Sequence, residues 1–130
     1  MSEQNFEETL VKDLMSRVLI TVNPETTCFQ IAKMMEGGLI GAVIVQENNG
    51  YVGIITDRDF VIKITANRLS YDTPAREIMS SPLVTISQEK SVSEAAKTMN
   101  IMKIRKLAVS ENNRIVGIIT STDVVNQLTK

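Results

Sequence analysis

The sequence predicts a mixed α/β (α+β) fold: two pseudo-symmetric β-α-β-β-α repeats packed sheet to sheet into one module. Three observations predict it. Gly53 to Asp59 reads Gly-Ile-Ile-Thr-Asp-Arg-Asp and returns as Gly117 to Asp123, Gly-Ile-Ile-Thr-Ser-Thr-Asp. Sliding the chain by the 64 residues between those glycines superimposes, without a gap, Met15-Ser16 on Met79-Ser80, Thr21 on Thr85, Ala32-Lys33 on Ala96-Lys97, Met35 on Met99, Ile40 on Ile104 and Glu47-Asn48-Asn49 on Glu111-Asn112-Asn113. Self-similarity at a fixed period marks a repeated structural unit. Within each unit, short β-branched runs alternate with segments whose apolar residues recur at helical spacing.

Taken in order, the chain divides into a lead-in over 1–10, a first repeat over 11–66, a connection over 67–74 and a second repeat over 75–130. In the lead-in, Phe6 and Leu10 are spaced as a short amphipathic helix. Leu19 to Val22 reads as a brief strand stopped by Asn23-Pro24, because proline cannot continue a ladder. Thr26 or Thr27 caps a helix carrying Phe29, Ile31, Ala32, Met34 and Met35 and ending at Gly37-Gly38. Ala42 to Gln46 is a buried-type strand, and Tyr51 to Ile55 returns antiparallel through a turn expected at Asn49-Gly50. Thr56 opens a helix through Phe60, Val61 and Ile64. The second half repeats the order, with a strand near 83–86, a helix near 90–102, a hairpin over 106–119 turning at Asn112-Asn113, and a helix from Thr120 to about Leu128. A short helix over 75–79 mirrors one over 12–15. Such a half leaves one sheet face bare, so the two halves are expected to pack on each other.

The composition narrows the function. With 130 residues and 43% hydrophobic content, the chain suits one domain with a real core. Fourteen Lys and Arg against fifteen Asp and Glu give a net charge of -1, which draws neither nucleic acid nor an anionic membrane. A basic patch at Lys103, Arg105 and Lys106 has little aromatic company, since aromatics are 4% of the chain, and nucleic acid is not an expected partner. No apolar stretch approaches the roughly 20 residues of a spanning helix. The start, Met1 to Glu8, is acidic and unlike a secretory signal, so a cytoplasmic location is expected. The single cysteine, Cys28, sits among apolar residues and reads as a small core residue. Histidine is absent, which removes the commonest general base and metal ligand; neither a metal site nor catalysis is expected.

Chemistry concentrates at Thr56 with Asp59, and at Thr120 with Asp123. A threonine at N-cap with an acid three residues on is a capping box, and that alone accounts for the pattern. The same geometry suits a nucleotide: the helix start and the hydroxyl offer donors to phosphate, and the carboxylate accepts from ribose hydroxyls.

Val-Lys-Asp-Leu-Met-Ser at 11 to 16, Gly-Ala-Val-Ile-Val at 41 to 45 and both Gly-Ile-Ile-Thr-x-x-Asp motifs resemble the tandem cystathionine-β-synthase (CBS) domains paired in a Bateman module. The resemblance covers about Leu10 to Lys130. It implies clefts for an adenosine-containing ligand such as AMP, ADP, ATP or S-adenosylmethionine, with no catalytic cofactor. By that resemblance Asp59 and Asp123 hold ribose, and Thr56 and Thr120 help hold phosphate. Adenine slides between strand starts of the opposite half: Ile20, Ile40 and Gly41 for the Asp123 cleft, Val84 and Ile104 for the Asp59 cleft. Charge differs between the copies. The first carries Arg58 inside its motif but Gly41-Ala42 before the hairpin, whereas the second has neutral Thr122 in its motif and Arg105-Lys106 before the hairpin. The resemblance further implies a homodimer formed through helices bearing Met34, Met35, Met99 and Met102, and a regulated partner on a separate chain. The competing expectation is a structural dimerisation module whose clefts hold no ligand.

Overall fold

The computed structural model describes residues 9–38 and 40–129. The short helix expected over the lead-in lies outside the described residues, of which residues 9 and 10 belong to that stretch; Leu10 forms an isolated antiparallel bridge with Ser91. The elements then run α1 (Val11–Leu14), β1 (Thr21–Val22), α2 (Cys28–Gly38), β2 (Ala42–Glu47), β3 (Gly50–Thr56), α3 (Asp57–Asp59), a π-helix (Phe60–Thr65), a 3-10 turn (Ala75–Glu77), β4 (Thr85–Ser87), α4 (Val92–Met102), β5 (Lys106–Glu111), β6 (Arg114–Thr120) and α5 (Ser121–Leu128). This is the predicted mixed α/β order, repeated. The first strand of each half is shorter than expected, beginning at Thr21 and Thr85.

Two three-stranded sheets form, ordered β1-β2-β3 and β4-β5-β6. In each, the first pair is parallel and the second antiparallel. The parallel pairs need a crossover, which α2 and α4 supply. Thr27 caps α2 reciprocally: its N–H donates to Gln30 Oε1 at 2.9 Å, and its Oγ1 accepts from Gln30 N–H at 3.2 Å. Ser91 Oγ caps α4 by accepting from Glu94 N–H at 3.1 Å.

Both hairpins turn on an asparagine pair. Asn48 and Asn49 take φ of 50° and 69°, Asn112 and Asn113 φ of 51° and 65°. The first turn thus lies one residue earlier than Asn49-Gly50, and Gly50 pairs with Glu47 at the start of β3. Two-residue hairpin loops of this type need positive φ at both central positions, which asparagine tolerates through its short polar side chain.

The helix expected from Thr56 is divided. After Asp59 it winds as a π-helix, with Ala66 N–H donating to Val61 O at 3.1 Å and Leu69 N–H to Ile64 O at 2.9 Å. β-branched residues at 61, 62, 64 and 65 crowd an α-helical turn. The corresponding α5 is regular α-helix.

The chain forms two compact units whose limits are offset from the sequence repeats. Of the described residues, one unit holds those of Ile20–Leu83 and the other joins 9–19 with 84–129. Each half's leading segment therefore belongs to the unit carrying the other half's sheet. The first unit packs Val22, Cys28, Ile31, Val43, Val45, Ile55, Ala75 and Ile78 in its core. The other packs Val11, Met15, Val92, Ala95, Met99, Leu107, Val109 and Ile119. The motif glycines make the leading segments fit. Ser80 pairs with Ile54 on the outer edge of β3 through bonds of 2.9 and 3.1 Å, and Ser16 pairs with Ile118 on β6 at 2.9 and 3.0 Å. A Cβ on Gly53 would lie 2.9 Å from Ser80 O, and one on Gly117 only 2.5 Å from Ser16 O. Glycine permits that approach.

Candidate functional site

In each unit the last strand of the sheet runs straight into a helix, and the Thr-x-x-Asp motif spans the junction. Ile55 and Ile119, the residues before each threonine, are wholly buried and fix the strand ends in the core. Thr120 N–H donates to Asp123 Oδ2 at 2.9 Å, and Thr120 Oγ1 accepts from Asp123 N–H at 3.1 Å, which closes a capping box. Thr56 N–H donates to Asp59 Oδ2 at 2.7 Å, while the Thr56 hydroxyl lies 3.3 Å from the same oxygen. The capping expectation therefore holds at both starts.

The two carboxylates differ in what remains free. Asp59 is 8% exposed, and Lys63 Nζ lies 3.2 Å from its Oδ1, so both of its oxygens are engaged. Asp123 is half-buried, and among the described residues no donor meets its Oδ1. A ribose diol or similar hydroxyl pair needs an acceptor with spare lone pairs, and Asp123 has one.

Neighbouring strand starts complete each junction. Ser121 N–H donates to Arg105 O at 2.9 Å, and Lys106 stands opposite Thr120 in the β5–β6 register. Val84 and Ile104 pack on the core of that unit. On the other side Asp57 N–H donates to Gly41 O at 3.1 Å, Ala42 stands opposite Thr56, and Ile20 and Ile40 pack on the core below. Arg105, Arg58 and Thr122 are exposed.

A profile of the CBS domain matches residues 11–66 and 75–130. The chain belongs to the CBS-domain family. It is 40% identical over 118 residues to an uncharacterised protein of Methanopyrus kandleri, covering 88% of this chain and 60% of that one. It is 35% identical over 119 residues to the CBS domain-containing protein YhcV of Bacillus subtilis, covering 91% and 85%. The chain thus spans less than two thirds of the first relative's length and most of the second's. Among solved structures, it is similar to the CBS domain pair of protein MJ0100 in complex with 5′-methylthioadenosine and S-adenosyl-L-methionine, with a TM-score of 0.84, 28% identity, and coverage of 93% of this chain and 96% of that one.

Within this CBS pair, each motif shares a unit with the strand starts of its own half. Val84, Ile104, Arg105 and Lys106 share a unit with Thr120, Thr122 and Asp123; Ile20, Ile40 and Gly41 share one with Thr56, Arg58 and Asp59. Of these, Arg105 and Lys106 were expected beside the motif of their own half, and Ile20, Ile40, Gly41, Val84 and Ile104 were expected as adenine walls facing the opposite one. Inside each unit, backbone hydrogen bonds join Gly41 to Asp57 and Arg105 to Ser121, and Lys106 pairs with Thr120. Lys63 escaped the sequence reading, although it lies one helical turn past Asp59 and falls on neutral Gln127 at the 64-residue offset.

Elsewhere the chemistry is quiet. Burial pushes the Cys28 thiol above its ordinary value, in keeping with a core residue rather than a nucleophile. Among the described residues no three Cys, Asp or Glu side chains converge as a metal ion would need, and no helix is long and apolar enough to cross a membrane.

Proposed function

We propose that this CBS pair is a regulatory module that binds an adenosine-containing ligand and carries no catalysis of its own. The observation that carries the reading is the open carboxylate oxygen of Asp123, at a capped helix start beside the basic Arg105-Lys106 strand start. In the proposed pose Asp123 accepts from ribose hydroxyls, and Thr120, Arg105 and Lys106 face phosphate or another charged tail. Val84 and Ile104 offer apolar surface to adenine. At the other motif Thr56, Asp59 and Arg58, with Ile20, Ile40 and Gly41 in the same unit, hold the matching positions. The binding of S-adenosyl-L-methionine and 5′-methylthioadenosine by the MJ0100 pair supports an adenosine ligand in general. AMP, ADP and ATP fit the same donors and acceptors.

Occupancy would act through a change in dimer geometry or in affinity for a cytoplasmic protein on another chain, which requires the ligand to favour one of two states. Self-association has its own support. Val61 and Ile62 on the π-helix, Ile101 and Met102 at the end of α4, and Val125 and Leu128 on α5 are exposed apolar side chains. The same observation favours a second reading, a dimerisation module with empty clefts.

Thermal unfolding with AMP, ADP, ATP, NAD and S-adenosylmethionine separates the two readings. A ligand at a hundred times its dissociation constant adds about 2.7 kcal/mol. Stabilisation by any adenosine compound, lost in Asp123→Asn, supports sensing. No shift with any of the five at millimolar concentration, in a protein that sediments as a dimer, favours the structural reading.

A further inference from the structure

We propose that Lys63 withholds Asp59 from ligand, so that each chain binds one adenosine ligand tightly, at Asp123, and the Asp59 site stays closed. The inference rests on the ligand reading given above and sharpens it from two equal clefts to one working site. An ammonium group has three donors, and all three of Lys63 have partners: Asp59 Oδ1 at 3.2 Å, Ile78 O at 2.8 Å and Ser80 Oγ at 3.4 Å. Two of those partners lie in the leading segment that Gly53 admits onto β3. The lysine is thus anchored at its far end and cannot swing from the carboxylate without leaving a carbonyl unpaired.

Asp59 is correspondingly crowded and nearly buried. Oδ2 accepts from Thr56 N–H and lies within reach of its hydroxyl, Oδ1 faces the ammonium, and the residue is 8% exposed. A ribose hydroxyl reaching Asp59 Oδ1 has to compete there with the Lys63 ammonium, whose full opposite charge the hydroxyl lacks, at a carboxylate that is nearly buried.

The second half lacks the device. At the offset of 64 residues, Lys63 falls on Gln127, which is uncharged and whose Nε2 donates to Thr9 Oγ1 at 3.2 Å instead of to Asp123. Ile78 and Ser80 fall on Leu14 and Ser16. Asp123 Oδ1 is left without a donor among the described residues, and the basic strand start, Arg105-Lys106 against Gly41-Ala42, borders the same helix start through Ser121 and Thr120. Both differences point to the same site.

Isothermal titration of the full chain with AMP, ATP and S-adenosylmethionine in turn tests this. The wild type is expected to take one equivalent per chain of whichever compound binds. Asp123→Asn should weaken it at least tenfold and Asp59→Asn less than twofold. Lys63→Gln, which installs the residue of the second half, should add a second equivalent, and that equivalent should vanish in Lys63→Gln/Asp59→Asn. Lys63→Met keeps the apolar stem and should behave alike, with circular dichroism confirming that each variant is folded. Two equal sites in the wild type, a single site lost in Asp59→Asn, or no added site in either lysine variant overturns the role of Lys63 and leaves the ligand reading standing. Silence of both the wild type and the lysine variants towards all three compounds overturns the ligand reading, and the inference with it.

Discussion

Gly117→Ala tests whether the motif glycines exist to admit the leading segments. The added Cβ would sit 2.5 Å from Ser16 O and 3.0 Å from Met15 Sδ, against about 3.4 Å for ordinary contact. The sulfur can turn aside, since methionine adapts. The carbonyl cannot, because Ser16 is held to Ile118 by backbone bonds of 2.9 and 3.0 Å. Overpacking of this kind costs about 1–3 kcal/mol, and lifting Ser16 from the edge of β6 forfeits up to two hydrogen bonds worth about 1 kcal/mol each. Reduced freedom of the unfolded chain returns about 0.4–1 kcal/mol. The net expectation is a loss of about 2–4 kcal/mol. At Gly53 the backbone clash is milder, 2.9 Å to Ser80 O, and the closer atom is the movable Met79 sulfur at 2.8 Å. Gly53→Ala should cost about 0.5–1.5 kcal/mol by the same terms. Urea unfolding with linear extrapolation measures both, and at a slope of about 2 kcal/mol/M the Gly117 variant loses about 1–2 M in midpoint. Amide exchange at Ser16 and Ile118 should quicken in that variant alone. A Gly117→Ala cost below about 0.5 kcal/mol, or one no larger than that of Gly53→Ala, refutes the docking argument.

The carboxylates should separate by stability as well as by ligand. Asp59→Ala removes the partner of Thr56 N–H and of the Lys63 ammonium in a buried setting, and should cost about 1–3 kcal/mol. Asp123→Ala removes half of a capping box and should cost about 1 kcal/mol; chemical denaturation of the two variants checks the order, and equal costs count against the Lys63 tie. Cys28 should resist thiol reagents at pH 8 in the native state and react freely in urea. Its folded thiol holds the proton more tightly than the unfolded one, so this contribution to stability is intact below the ordinary value of 9.0 and declines as pH rises beyond it. Stability that increases across that alkaline window contradicts the burial of the thiol.

Much of the fold was legible because its signals are local. The 64-residue offset, the Thr27 and Thr120 caps and the Asn112-Asn113 turn each depend on a few adjacent residues, and each reappears in the structure. The errors were also local competitions. Asn-Gly is the stronger turn signal in isolation, yet placing the turn at Asn48-Asn49 lets both hairpins keep the same register. The offset between repeats and compact units was not legible, because pairing of Ser16 with Ile118 and of Ser80 with Ile54 is decided by long-range packing against a glycine. The site was half legible. Motif spacing gave Thr56, Asp59, Thr120 and Asp123, whereas the strand starts beside each motif are set by sheet register, and the state of each carboxylate is set by Lys63 and Gln127.

That last difference bears on how a duplicated ligand motif should be read. Thr-x-x-Asp satisfies backbone donors at a helix start whether or not anything binds, so both copies have a reason to keep it independent of ligand. The presence of the motif therefore says little about occupancy. What decides is the acceptor capacity left after the cap is made. One carboxylate oxygen goes to the threonine N–H in each copy; the other goes to an anchored ammonium in the first and to no described donor in the second. On the proposal made above, a single residue one turn further along the helix, charged in one half and neutral in the other, divides a duplicated fold into a structural half and a binding half. On the same proposal, a change at that one position alters the number of working sites without touching any residue that would contact the ligand.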